Sequence, residues 1–295
     1  MGRLAGTRRE WFGYGLFGLL VVTCALYLRF PSAEVGDYLD RSLKGINPNL
    51  SFSAALIKPW PPLQLKFTGT EVVSARTDIP LVVAENLVAG PKISSMLHGK
   101  PVYVLKGAAY SGAFSGRLQR RTDTAGFGEG ELSLAGIDLA KYNYLPELFG
   151  RQLEGILNGS LSFKSNSGRL LDSGGQTQLR VNEGRMALLQ PLLGLDAVVF
   201  DVITVDAALE KRILSASMEL TGPELQGSMT GTIRIMADIW QSRLAFKGVV
   251  EPQSQLYQQH PQAAAALNLL KNKMKNGKYS FAVKGTVQKP EFSLL

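Results

Sequence analysis

The sequence predicts a mainly β fold: one N-terminal transmembrane helix followed by an elongated antiparallel sheet with a few short helices. Three observations predict it. The 18 positions from Trp11 to Leu28 carry no charge. Beyond Leu63 the apolar residues recur mostly at every second position, the period of a half-buried strand. Turn residues separate these runs at short intervals, which joins neighbours as antiparallel hairpins. No regular exchange of strand and helix patterns occurs, so a parallel α/β sheet is disfavoured.

The uncharged segment reads WFGYGLFGLLVVTCALYL. Wound as a helix it is roughly 27 Å long, close to the ~30 Å hydrocarbon core of a bilayer. The anchor is expected to present Trp11, Phe12, Tyr14, Leu16, Phe17, Leu19, Leu20, Val21, Val22, Leu26, Tyr27 and Leu28 to lipid. Arg3, Arg8 and Arg9 precede it and a mixed set of charges follows, which places the N-terminus in the cytoplasm and the body across the membrane. The expected organisation is residues 1–10 cytoplasmic, 11–28 transmembrane, and 29–295 one β-rich body. Two other readings compete. A cleaved signal peptide would use Thr23-Cys24-Ala25, but apolar residues continue to Leu28 before Arg29-Phe30-Pro31 closes the run. A lipoprotein box would end at Cys24, where Thr23 is a poor preceding residue.

At 295 residues, 45% of them hydrophobic, the chain can form one large or two modest domains. Its single cysteine, Cys24, lies in the anchor, so the body has no disulfide framework and no cysteine metal site. Two histidines, His98 and His260, argue against a histidine-rich metal centre. The net charge of +8 sits at the two ends: residues 1–29 carry four Arg and one Glu, and residues 271–295 six Lys and one Glu. The middle balances 22 bases against 22 acids, unlike the basic body expected of a nucleic-acid binder.

Along the body, Ala33–Lys44 has amphipathic helical spacing, with Val35, Tyr38, Leu39 and Leu43 on one side, and Gly45 and Pro48 end it. Alternation then predicts strands at Leu63/Leu65/Phe67, Leu161/Phe163, Leu179/Val181, Ile233/Ile235, Leu244/Phe246 and Tyr279/Phe281/Val283. Turns are expected at Asn158-Gly159, Asn166-Ser167-Gly168, Ser173-Gly174-Gly175, Gly222-Pro223 and Asn276-Gly277. Short helices are expected at Pro91–Leu97, at Leu139–Phe149 with a break at Pro146, and at Pro261–Lys275, whose proline start and late lysines suit a helix. The basic cluster Lys271–Lys278 reads as a solvated helix end, or as a contact for anionic headgroups or an acidic protein.

No motif for chemistry is present. The sequence lacks a GxxxxGK[ST] loop, an HExxH helix and a GxSxG elbow. His98 stands at an expected helix end, where an imidazole can cap carbonyls, and His260 at a turn or helix entry before Pro261. Glu129 and Glu131 share a strand face and are the one foothold for acid–base work, yet carboxylates on a polar face are ordinary. No enzymatic activity and no cofactor are expected.

From Phe30 onward the order of features resembles the long form of the type II secretion system protein GspN family, itself similar to the N-terminal parts of AsmA-type envelope proteins. The likeness is carried by Arg29-Phe30-Pro31 and then by Pro59-Trp60-Pro61-Pro62 before the alternating strand Leu63-Gln64-Leu65. Further matches are Ile79-Pro80-Leu81-Val82-Val83, Ile93–Leu97, Gly136–Leu139, Leu153–Leu161, and the closing helix and strands to Phe292. The resemblance implies an inner-membrane protein with a periplasmic body that serves type II secretion without catalysis. Its AsmA-like side implies a curved, gutter-like sheet with an apolar concave face.

A one-sided apolar sheet with few helices must close, fold over, or meet a ligand or protein. The candidate lining is Leu65, Phe67, Leu161, Phe163, Leu179, Val181, Ile233, Leu244 and Phe246. Two functions follow as expectations. One is a secretion accessory that docks other envelope proteins; the other is a lipid-binding or lipid-transfer module holding phospholipid in that groove.

Overall fold

The computed structural model describes residues 8–46, 48–74, 79–96, 99, 101–120, 127–144, 146, 152–165, 174–192, 195–236 and 238–295. Two helices, α1 (Arg8–Leu28) and α2 (Ser32–Ile46), precede a 15-stranded antiparallel sheet. Its first seven strands are β1 (Leu50–Trp60), β2 (Gln64–Ser74), β3 (Pro80–Pro91), β4 (Val102–Ala109), β5 (Gly112–Arg120), β6 (Phe127–Asp138) and β7 (Leu153–Lys164). They continue as β8 (Gly174–Leu192), β9 (Leu195–Glu210), β10 (Ile213–Thr221), β11 (Leu225–Arg234), β12 (Arg243–Pro252), β13 (Met274–Lys275), β14 (Lys278–Thr286) and β15 (Pro290–Leu294). Among the described residues, short helices interrupt them at α3 (Ile93–Met96), α4 (Ser254–Gln259) and α5 (Pro261–Leu269).

The order is a meander. Each strand from β1 to β12 pairs with the next, β12 pairs with β14, and β13 and β15 both pair with β14. β1 never meets the last strands, so the sheet is open. At about 4.8 Å per strand, the twelve steps from β1 to β14 span about 58 Å. Hairpins carry the chain back each time. Three of them turn through two left-handed residues, Tyr110-Ser111, Lys211-Arg212 and Asn276-Gly277. That geometry matches the twist of the flanking strands.

Several expectations are corrected. Asn158-Gly159 is not a turn but lies inside β7. The Asn158 side-chain oxygen accepts the Gly136 N–H at 2.9 Å, beside the irregularity between Leu134 and Ile137. Gly174-Gly175 opens β8, whereas Gly222-Pro223 does join β10 to β11. The last helix stops at Leu269; a 3-10 turn at Lys271–Lys273 follows, and Met274-Lys275 pairs with β14 instead of remaining helical. In the Leu139–Phe149 stretch, Leu139–Lys141 forms a 3-10 turn, with Asp138 accepting the Ala140 N–H, and Tyr144 and Pro146 are helical. Leu97, His98, Leu145, residues 147–150 and the Asn166-Ser167-Gly168 turn lie outside the described residues.

α1 runs 21 residues, and Phe12 and Leu28 are 83% and 85% exposed. Among the described residues no helix is long and apolar enough to cross a membrane. The side chains at 8–10, 19, 23, 24 and 26 of α1 fall outside that set, Leu19 and Leu26 with them, so the uncharged length of α1 is a property of the sequence. α2 instead packs on β1: Asp40 accepts the Phe52 N–H at 2.9 Å and an ion pair from Lys44 at 2.6 Å. The Lys44 hydrogen bond, then that of Phe52, holds the Asp40 carboxyl below its ordinary value.

Five phenylalanines lock neighbouring strands together. Phe114, Phe163, Phe200, Phe246 and Phe281 each face a glycine in register: Gly107, Gly130, Gly184, Gly231 and Gly248. A Cβ at these glycines would stand 2.2–2.7 Å from ring atoms, so each ring lies flat over its partner's backbone. Sheets of one layer lack a facing layer to pack against, and this sideways packing supplies contact along the sheet. Gly130→Ala is therefore expected to cost about 1–3 kcal/mol in urea denaturation. Combined with Phe163→Ala it should cost clearly less than the sum of the two single changes.

Candidate functional site

The register sorts one whole face of the sheet into apolar rows. One row runs Leu105, Gly116, Leu132, Leu161, Thr177, Ala207, Ala216, Gly231, Phe246, Val283, Phe292. The row beside it runs Gly107, Phe114, Leu134, Gly159, Leu179, Val205, Met218, Met229, Gly248, Phe281, Leu294. On the other flank stand Tyr103, Leu118, Gly130, Phe163, Gly175, Leu209, Leu214, Ile233, Leu244 and Gly285. The fourth row passes from Ile137 and Leu157 through Val181, Ile203, Leu220, Gly227 and Val250 to Tyr279. None of the four rows carries a charge. From β4 to β14 they extend about 43 Å at the usual strand spacing.

The opposite face is polar at the matching positions. Lys106, Ser115, Ser133, Ser160, Gln178, Asp206, Ser217, Thr230 and Lys247 form one continuous row there. Shifting any strand by one residue would exchange the two faces, so the alternation itself fixes the pairing.

All nine residues of the expected lining lie on the apolar face. Leu65 and Phe67 reach it through Ala89 and Leu87 on β3, which face Leu105 and Gly107 on β4. Phe67, Val181 and Phe246 are buried; the other six are half-buried. Pro59 stands opposite Leu65, Trp60 ends β1 opposite Gln64 and is 46% exposed, and Pro61-Pro62-Leu63 forms the β1–β2 turn.

Helices touch this face at its ends and along one margin. At the start, Gly36 of α2 lies over Ile57, the β1 partner of Phe67. Along the margin, Leu139 packs with Val181, Phe200 and Ile203. At the far end, Leu256, Ala263 and Leu267 of α4 and α5 pack on Tyr279, whose hydroxyl donates to the Leu267 carbonyl at 3.0 Å. His260, between these two helices, sets Nε2 3.0 Å from Oε1 of the buried Glu224, tying the pair to the β10–β11 turn. Among the described residues no other helix packs extensively on a strand.

Polar chemistry does not converge. Glu129 and Glu131 do share the polar face, both exposed, and Glu129 pairs with Lys164 at 2.7 Å. Among the described residues no three His, Cys, Asp or Glu side chains gather where a metal ion could be held. Burial chiefly pushes the Tyr142 hydroxyl up to about 12, with Tyr110 and Tyr144 adding to it. The Tyr142 ring stacks edge-on against Tyr110 at 5.2 Å between ring centres. Tyr110 in turn accepts the Val83 N–H at 2.8 Å, so this cluster braces the sheet margin.

Several features had no sequence signal: the phenylalanine–glycine pairs, helix α4, and the Glu224–His260 contact. The first and last depend on register between residues far apart in the chain. No family model, no curated protein and no solved structure matches the chain significantly.

Two outcomes follow. Leu161→Asp, which puts a charge on the apolar face, should lower the urea midpoint, while Ser160→Asp, which faces Ser133 and Gln178 on the polar face, leaves it nearly unchanged. Because the folded Tyr142 holds its proton more tightly than the unfolded chain, stability is intact below pH 10 and falls as pH rises toward about 12. Tyr142→Phe should flatten that decline in alkaline denaturation curves.

Proposed function

We propose that this chain is a non-enzymatic accessory component of type II protein secretion, anchored in the bacterial inner membrane with its body in the periplasm. The observation that carries the reading is the uncharged face of an open sheet on which, among the described residues, helices pack at the ends and one margin. Apolar surface of that extent marks a site where a partner binds. The face would curve as a gutter and meet other secretion or envelope proteins.

Three further points support it. α1 presents Trp11, Phe12, Leu16, Phe17 and Val22 as exposed side chains, and its sequence has no polar face between Trp11 and Leu28. A helix that is apolar all round needs apolar surroundings. Its charge flanks orient the N-terminus to the cytoplasm. The resemblance set out above supplies the pathway.

A second reading is favoured by one specific observation: across their whole span the four rows include only three hydroxyl side chains, Thr177, Tyr103 and Tyr279. Such a surface suits acyl chains, and the body would then hold or pass phospholipid.

Photo-crosslinking in intact cells separates the two. A photoreactive residue replacing Leu161 is expected to trap secretion subunits, and one replacing Ser160 on the other face is not. Lipid adducts at Leu161 would favour the second reading, and equal labelling at both positions would defeat each. For the anchor, the protein should resist alkaline extraction from membranes. Ser162→Cys should react with a membrane-impermeant thiol reagent once the outer membrane is opened; protection of that thiol would place the body on the wrong side.

A further inference from the structure

The polar face carries a feature that the apolar rows do not explain. A cleft of about 810 Å³ lies over the first six strands, and its walls include Trp60, Lys92, Lys106, Arg117 and Glu131. Lys66 borders it, with Nζ 5.1 Å from the centre of the Trp60 ring, a cation–π distance.

Positive charge is concentrated here by register. Lys58 stands directly opposite Lys66. Lys66 faces Val88, which faces Lys106, and Arg117 lies on the next strand opposite Val104. Like charges facing each other across a strand pair are destabilising. Among the described residues, none of Lys58, Lys66, Lys92, Lys106 and Arg117 is in an ion pair. Arg117 faces Glu131, a carboxylate of the cleft wall, without forming an ion pair, and farther along the face Glu129 does pair with Lys164. Trp60 is 46% exposed, so its ring remains accessible beside these charges.

We propose that this cleft binds an acidic saccharide. A flat indole offers a platform for the C–H face of a sugar ring. Lysine and arginine around it pair with carboxylate or phosphate groups, arginine in two parallel hydrogen bonds. The volume lies in the usual range for small-ligand sites. Gln64, Ser115 and Ser133 add neutral donors and acceptors for hydroxyl groups. The site is on the face opposite the apolar rows, so it stands or falls independently of what those rows contact.

The test is calorimetric titration of the full chain in detergent micelles with hexagalacturonate, with neutral maltohexaose and with inorganic phosphate. Hexagalacturonate should bind, more weakly as salt rises, and the other two at least about tenfold more weakly. Lys106→Glu with Arg117→Glu should weaken it about tenfold or more, and Trp60→Ala should weaken it as well. Lys247→Glu with Lys284→Glu, an equal charge change far along the same face, should not. The neutral pair Lys106→Gln with Arg117→Gln repeats the comparison if charge reversal unfolds the sheet, as circular dichroism would show. Equal binding of phosphate and hexagalacturonate with no effect of Trp60→Ala would reduce the cleft to a site for anions and overturn the saccharide. No binding, or equal loss from the Lys247→Glu, Lys284→Glu pair, would overturn the site altogether.

Discussion

Antiparallel pairing with a period of two forces each strand to choose one face for its apolar residues, and here every strand from β4 to β14 makes the same choice. The four rows are the outcome. Strand by strand the choice is unremarkable, since Leu161 and Phe163 against Ser160 and Ser162 could belong to any half-buried strand. Added up through an unbroken meander it yields a surface about 43 Å long with no charge on it. Because the sheet stays open, that surface is neither wrapped into a barrel nor laid against a second sheet. The shape of the molecule and its proposed roles both descend from this arrangement.

A single layer needs cohesion from within. In a two-layered protein, side chains of one sheet fill the gaps of the other. Here the gaps are filled by neighbours in the same sheet. Phe163 over Gly130 and Phe281 over Gly248 show the principle: removing one Cβ makes room for a ring lying along the surface. The rings are thereby buried in part without standing up from the sheet. The face stays low in relief and apolar, as suits a surface that receives something else.

The helices are arranged to the same end. α2 closes the beginning, Leu139 with the tyrosine cluster braces one margin, and α4 with α5 closes the finish around Tyr279. The Glu224–His260 contact fastens that last lid to a turn rather than to the rows. Among the described residues, helical material thus lies at the ends and one margin of the apolar strip and leaves the middle to the strands.

By itself the sequence determined the period, and through it which residues share a face. Leu65, Phe67, Leu161, Phe163, Leu179, Val181, Ile233, Leu244 and Phe246 could be grouped without coordinates because alternation is a local property. Helix α2 was legible for the same reason. Local chemistry misled where the surroundings outweighed it. Asn158-Gly159 has the composition of a turn, yet its amide is used on the neighbouring strand and its missing side chain makes room for Leu179. The lysines after Leu269 promised a longer helix, but pairing with β14 drew Met274 and Lys275 into the sheet. Only the tertiary structure decided which distant residues stand side by side: Phe163 on Gly130, His260 on Glu224, and Lys58, Lys66 and Lys106 around Trp60. Those neighbours are set by strand register, and register is the sum of many weak pairings that no short stretch of chain contains.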